Sequence, residues 1–282
     1  MAEQDAELAI GGKWILAGKA FEPVGESLQD IVGYTNPTDK RVLAVASYGG
    51  FPLAFLAEGA KYLLSFDVDA EKIGWNHFLR ASTLALSYRE NLTFFQHQPD
   101  ALKPPDIRDR VESLLPVEHA QEAFNRMIIF HLCYPHFANI VTTLYPHLRD
   151  EQTYQRVKDT ISRGGWEIRQ EELLTLLRDE ALSGKEGFDV MYTSTIRNWV
   201  LDIRYQGDVE RFETDYDGEL GKRVTGLLNE GGIFYEALIF ADGFPKLRIS
   251  PRLYSGLDIQ EHPSYDLNSN AKIVIGTKVT QV

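Results

Sequence analysis

The stretch Arg41-Val-Leu-Ala-Val-Ala-Ser-Tyr-Gly-Gly50, continued by Phe51–Gly59 and Tyr62-Leu-Leu-Ser-Phe-Asp67, decides the reading of this chain. Val42 to Ala46 is an unbroken apolar run, the pattern of a strand buried on both faces of a parallel sheet. Ser47 to Gly50 are turn residues. Phe51–Gly59 reads as a helix, with Leu53, Phe55 and Leu56 apolar and Gly59 as its stop. Tyr62–Phe66 is a second strand, closed by Asp67-Val68-Asp69. Strand, glycine turn, helix, strand and terminal carboxylate within about thirty residues form a βαβ unit suited to a nucleoside ligand. In an open α/β sheet the ligand lies beyond the carboxyl ends of the strands, which sets Ser47, Tyr48 and Gly49 against it. Small residues let backbone N–H groups approach a polar or anionic group, and the helix N-terminus adds partial positive charge. Asp67 is placed to accept both hydroxyls of a ribose. The turn has neither Gly-x-Gly-x-x-Gly nor the Lys-Ser/Thr of a P-loop, which disfavours a dinucleotide and a nucleoside triphosphate.

Outward from this unit, a helix is expected from Ala70 to about Tyr88, with Ile73, His77 and Leu84 along it. Leu92–Gln96 has the composition of a strand, but helical pattern dominates 91–160, punctuated by Pro104-Pro105, Pro116 and Pro135. Helices are expected over Val117–Tyr134 and 136–145. In the second, Phe137, Ile140, Val141 and Leu144 form an apolar stripe and His136, Asn139 and Thr143 a polar face. Residues 91–160 therefore read as a helical insertion covering the site, and 1–40 as an N-terminal cap. Alternation resumes with a strand at Trp166–Gln170, a helix over Glu171–Leu182, a strand at Gly187–Ser194 and a helix over Ile196–Tyr205. A helix at Glu219–Asn229 is expected to end at Gly231-Gly232. Ile233–Phe240 is then the fifth strand, with Leu247–Ile249 and Ala271–Val279 as a closing antiparallel pair. Glu210 through Glu219 reads as a solvated acidic loop. No repeat or low-complexity tract divides the 282 residues, so one domain is expected.

Composition narrows the classes of function. There are 29 Lys and Arg against 41 Asp and Glu, a net charge of −12, with no basic run to offset it. Such a chain lacks the electrostatic footprint of nucleic-acid binding and is disfavoured at anionic membrane surfaces. A lone cysteine, Cys133 in an apolar helical stretch, and an acidic N-terminus fit a reducing, cytoplasmic setting. No run approaches the ~18 apolar residues of a membrane span. The seven histidines are scattered, and His131-x4-His136 is off helical register, so no metal site is expected. A Gly-x-Ser-x-Gly elbow is missing, which leaves acyl transfer without a nucleophile.

Val42–Gly50 with Asp67 resembles the first motif and ribose-binding acid of S-adenosylmethionine-dependent enzymes with the class I methyltransferase fold. Ser47 or Tyr48 stands in place of that motif's first glycine. Gly231-Gly232 and the closing strand pair are also similar to that fold. The expected fold class is thus α/β, a Rossmann-like class I methyltransferase sheet with a helical insertion and a C-terminal antiparallel pair. Val42–Gly50, Phe66-Asp-Val-Asp69, the insertion and Phe188-Asp-Val-Met-Tyr-Thr-Ser-Thr195 further resemble the 3-amino-3-carboxypropyl transferases related to betaine-lipid synthase, a group that includes azetidine-2-carboxylate synthases. That likeness implies S-adenosylmethionine as substrate, attack at its γ-carbon and release of methylthioadenosine. The acidity and modest length favour a small soluble acceptor, or ring closure on the substrate's own amine, over a lipid.

Position supplies the candidate residues. Tyr192, Thr193 and Ser194 end the fourth strand at the ligand edge; Tyr192 and Ser194, with Asn139 on the insertion's polar face, are the candidates to orient the reacting amine. His136 shares that face. Tyr34, just before the first strand, is a candidate lid aromatic, and Glu172, after the third strand, a candidate contact to adenine or a helix N-terminal acid favoured by the dipole.

Overall fold

The computed structural model describes residues 28–97, 105–116, 137–183, 186–239, 247, 249–263 and 271–279. Helix α1 (Leu28–Thr35) leads into β1 (Arg41–Val45), α2 (Gly50–Ala57), β2 (Tyr62–Asp67) and α3 (Ala70–Ala85). Then come α4 (Tyr88–His97), α5 (Pro105–Glu112), α6 (Phe137–Leu144) and α7 (Glu151–Ser162) before β3 (Trp166–Gln170). The rest runs α8 (Leu173–Leu177), α9 (Glu180–Ser183), β4 (Phe188–Ser194), α10 (Ile196–Tyr205), α11 (Val209–Phe212), α12 (Gly218–Leu227), β5 (Leu228–Ile239), β6 (Leu257–Pro263) and β7 (Ala271–Lys278). The seven strands form one sheet in the order β3-β2-β1-β4-β5-β7-β6. β1 to β5 pair in parallel, and β7 runs antiparallel to both its neighbours. This is the expected Rossmann-like sheet of class I methyltransferase type. Strand order reverses between β1 and β4, and Val42, Leu43 and Ala44 of β1 are fully buried, as a central strand covered on both faces requires.

Several local expectations are corrected. Leu92–Gln96 is the interior of α4, not a strand: Asn91, Phe94 and Phe95 are buried at helical spacing while Thr93 faces out. The long helix from Ala70 stops at Ala85, because Leu86 is extended and Ser87 starts a new one. The Glu90 carboxylate accepts from the Ser87 N–H at 2.7 Å and the Glu90 N–H donates to Ser87 Oγ at 3.3 Å, a reciprocal capping box. Glu171–Leu182 divides into α8 and α9, since Asp179 caps the second through the Ala181 N–H. Gly231-Gly232 does not end a helix. Both lie inside β5, where the pairing skips from Phe188↔Leu228 to Val190↔Ile233 and Gly231 takes a positive φ of 70°. Leu247 and Ile249 lie outside the strands, and the outer partner of β7 is β6 at Leu257–Pro263.

The acidic run 210–219 is helical rather than a loop. Glu213–Asp217 forms a π-helical turn between α11 and α12 that carries Asp217 into the core. There Asp217 chelates Arg197, with Oδ1 at 2.9 Å from Nε and Oδ2 at 2.5 Å from Nη2. Glu236 of β5 takes the third guanidinium nitrogen at 2.8 Å and also accepts from the Tyr254 hydroxyl. All three side chains are buried. Helices α4 to α7 lie between α3 and β3; Cys133 and the Val117–Tyr134 helix lie outside the described residues. No helix among the described residues is long and apolar enough to cross a membrane.

Candidate active site at the ends of β1, β2 and β4

The sheet's switch point lies between β1 and β4, where an α/β fold opens a crevice beyond the strand ends. Two serines flank it in the left-handed region, Ser47 after β1 (φ 44°) and Ser194 at the end of β4 (φ 51°). A non-glycine residue held there costs of order 1–3 kcal/mol and persists only where its surroundings enforce it. For Ser47 those surroundings are plain. The Ala46 N–H donates to Phe66 O at 2.7 Å, the Ser47 N–H to Asp67 Oδ2 at 3.3 Å, and the Gly49 N–H to Ala46 O at 3.0 Å. Gly49 has φ 84°, and a Cβ there would fall 2.1 Å from Leu79 Cδ1, so this position of the motif requires glycine.

Asp67 is 7% exposed. Its second oxygen accepts the Asp69 N–H at 3.1 Å, and Lys72 Nζ lies 3.7 Å away. Burial pushes its carboxyl above the usual range, opposed by Lys72 and by the two backbone N–H groups. The carboxylate thus ties the β1 turn to the β2 end and keeps a small open face. Beside it Val68 is 64% exposed, an apolar side chain one residue beyond a sugar-binding candidate. Sequence reading passed over Val68 and also Asn76 of α3. The Asn76 amide donates to Ser47 O at 3.0 Å and Lys72 O at 2.8 Å and lies 3.4 Å from Ala46 O. Its Oδ1 is buried without a partner among the described residues, an arrangement that costs about 1–3 kcal/mol.

The insertion reaches this turn. Tyr145, just past α6, lies with its hydroxyl 3.5 Å from the Tyr48 carbonyl and accepts from Trp75 Nε1 at 3.0 Å. The Leu144 carbonyl sits 3.1 Å from where a Gly50 side chain would begin. A larger residue at Gly50 would push the end of α6 off the turn.

Ser47, Tyr48, Gly49 and Asp67 thus lie together at the β1 and β2 ends, with Ser194 across the switch point at the end of β4. Tyr192 is fully buried, its ring 4.7 Å from Phe51, 5.8 Å from Phe55 and 5.4 Å from Tyr235. It packs under α2 as a core residue, which corrects the expectation of a strand-end polar group. The alternation of β4 turned its ring toward the helix layer. Thr193 is buried with Oγ1 3.5 Å from Tyr235 O. Ser194 is half-buried and pairs with Glu236. Glu172 is near the edge, but its Oε2 caps α8 through the Thr175 N–H at 3.0 Å and hydroxyl at 3.3 Å, while Oε1 is buried. Of the two roles open to it, the structure shows the helix-capping one. Tyr34 rests on His262 of β6, ring centroids 4.6 Å apart. Asn139 belongs to α6, and His136 lies outside the described residues. No group of three or more metal-binding side chains occurs among the described residues.

No family model and no curated protein matches the chain. Solved structures that match include the rRNA methyltransferase aviRa from Streptomyces viridochromogenes, at 12% identity over 95% of this chain and 87% of that one, with a TM-score of 0.47. A TehB-like SAM-dependent methyltransferase from Corynebacterium glutamicum matches at 11% identity, 90% and 88% coverage and 0.40. The N-methyltransferase NodS from Bradyrhizobium japonicum, in complex with S-adenosyl-L-homocysteine, matches at 10% identity, 84% and 76% coverage and 0.37. Likeness of this order concerns the chain trace, and the assignment of the fold rests on the strand order and directions of this sheet.

Proposed function

We propose that this chain is an S-adenosylmethionine-dependent enzyme that binds the adenosyl group across the β1 and β2 ends. The observation that carries this reading is the pairing of a left-handed Ser47 with Asp67 at the switch point, joined by the Ser47 N–H. The residues present fit such a ligand. Asp67, acceptor-only when ionised, suits two sugar hydroxyls. Exposed Val68 offers an apolar face to the base. The turn through Tyr48 and Gly49, leading into α2, suits the polar methionine end.

Within that reading we favour cleavage of the bond between sulfur and the γ-carbon, with ring closure on the substrate's own amine to azetidine-2-carboxylate. Support comes from the resemblance carried by Val42–Gly50 and Phe188–Thr195, and from an insertion whose Tyr145 and Leu144 roof the turn. The α-ammonium first loses its proton to solvent. The neutral nitrogen then attacks the γ-carbon as the carbon–sulfur pair leaves on sulfur, giving neutral methylthioadenosine. No leaving-group acid is needed. The site's tasks are to fold the methionine chain for in-line attack and to exclude water. Ser194, at the left-handed end of β4, and Asn139, on α6, are our candidates to hold the amine.

Incubation of the pure protein with S-adenosylmethionine alone tests this. Methylthioadenosine with azetidine-2-carboxylate is the expected outcome. Methylthioadenosine formed only with an added amine moves the assignment to aminocarboxypropyl transfer, and S-adenosylhomocysteine moves it to methyl transfer. No heat of binding in calorimetry overturns the cofactor itself.

A further inference from the structure

We infer that Asn76 is a positioning residue for the ligand turn, holding the carbonyls of Ala46 and Ser47 from beneath so that the turn presents its outer face. The inference rests on the reading of that turn as the adenosyl site. Asn76 is fully buried on α3, and three carbonyl oxygens surround its amide nitrogen, at 2.8 Å (Lys72), 3.0 Å (Ser47) and 3.4 Å (Ala46). That surrounding fixes the carboxamide: turned over, Oδ1 would face three like dipoles. The consequence is an Oδ1 with no partner among the described residues, 3.8 Å from the place of a Gly49 side chain. A buried acceptor left in this way calls for an explanation. Here the gain lies on the other end of the amide, which tethers two successive carbonyls on either side of the left-handed Ser47. Leu79, one turn along α3, fills the space under Gly49, so the same helix face steadies the turn by packing and by hydrogen bonding. The two contributions are separable.

An apolar side chain of the same branching, Asn76→Leu, removes the tether and the orphan together, though its methyl groups are bulkier; Asn76→Ala removes them with less steric risk. Leu79→Ala loosens packing at the same turn and leaves the tether in place. Calorimetric titration of each variant with S-adenosylmethionine, well below its melting temperature, reads the difference. Both Asn76 variants are expected to weaken binding at least tenfold, while Leu79→Ala lowers the melting temperature with Kd within threefold of wild type. Wild-type-like affinity in the Asn76 variants overturns the inference. So does an equal loss in Leu79→Ala, which would make the effect general loosening, or failure of both Asn76 variants to fold, which would make the residue structural. A wild type that binds no S-adenosylmethionine sinks this inference along with the reading beneath it, whereas a wild type that binds beside unaffected variants sinks this inference alone.

Discussion

Substituting Glu236 by glutamine should change how the protein's stability depends on pH. Glu236 is fully buried with Asp217 and one shared guanidinium, so two carboxylates face a single positive charge. Burial, reinforced by Asp217 and opposed by Arg197, pushes its carboxyl from an ordinary 4.5 to about 7. The folded protein therefore keeps a proton on Glu236 at pH values where the unfolded chain has lost it. Below pH 4.5 both states are protonated and the group contributes nothing. As pH rises from 4.5 to 7 the folded state loses ground, by roughly 3 kcal/mol at about 1.4 kcal/mol per pH unit. Glutamine keeps an acceptor for Tyr254 and Arg197 and cannot ionise, which leaves Arg197 matched by Asp217. Urea unfolding of both proteins from pH 4.5 to 8.5 measures the difference directly, because every other titrating group is common to the two. The stability gap should shift in the variant's favour by a few kcal/mol and level off above pH 7. Parallel curves across that range would refute the uneven charge count on which the reasoning stands.

Removing the other carboxylate, Asp217→Ala, takes two charge-assisted hydrogen bonds from the buried Arg197 guanidinium and should lower the unfolding free energy by about 2–3 kcal/mol. Asp67→Ala should weaken S-adenosylmethionine binding by about 2 kcal/mol if two hydroxyl bonds are lost; an unchanged Kd in calorimetry removes the sugar assignment. Tyr192→Ala should lower stability by about 3–5 kcal/mol through the cavity left among Phe51, Phe55 and Tyr235. Tyr192→Phe should leave turnover within a few-fold of wild type, and an abolished activity would restore a chemical role to the hydroxyl. His147 is buried, neither ring nitrogen has a partner among the described residues, and burial lowers its pKa to about 3. The unfolded chain takes up its proton near 6.5, so this residue erodes stability as pH falls from there. His147→Phe should flatten that acid limb in the same unfolding series.

The βαβ unit was legible because its signals are local. An apolar run, small turn residues and a terminal acid lie within one stretch, and the structure joins them by the Ser47–Asp67 bond. The parts that escaped depend on contacts distant in sequence or on which way a side chain points. Arg197, Asp217 and Glu236 each sit in an unremarkable context, and Asp217 is hidden in a run of acids that looks solvated. Only a π-helical turn brings it inward. Tyr192 and Thr193 are adjacent polar strand-end residues, and the sheet's alternation gave one of them to the core beneath α2. Gly231-Gly232 reads as a helix stop, yet the neighbouring strand uses it to absorb a change of register. One missed signal was local: Ser87-Tyr-Arg-Glu90 is a capping-box sequence and marks the end of α3 and the start of α4.

The contact between Tyr145 and the Tyr48 carbonyl has a thermodynamic corollary. On the proposed reading of the turn, the packing of segment 137–162 against it and its occupancy by ligand are linked through that contact. Whatever factor docking adds to ligand affinity, the ligand must return in full to docking. Amide protons of α6 and α7 should thus exchange more slowly at saturating ligand, and the slowing measures how much of the residence time this roof supplies.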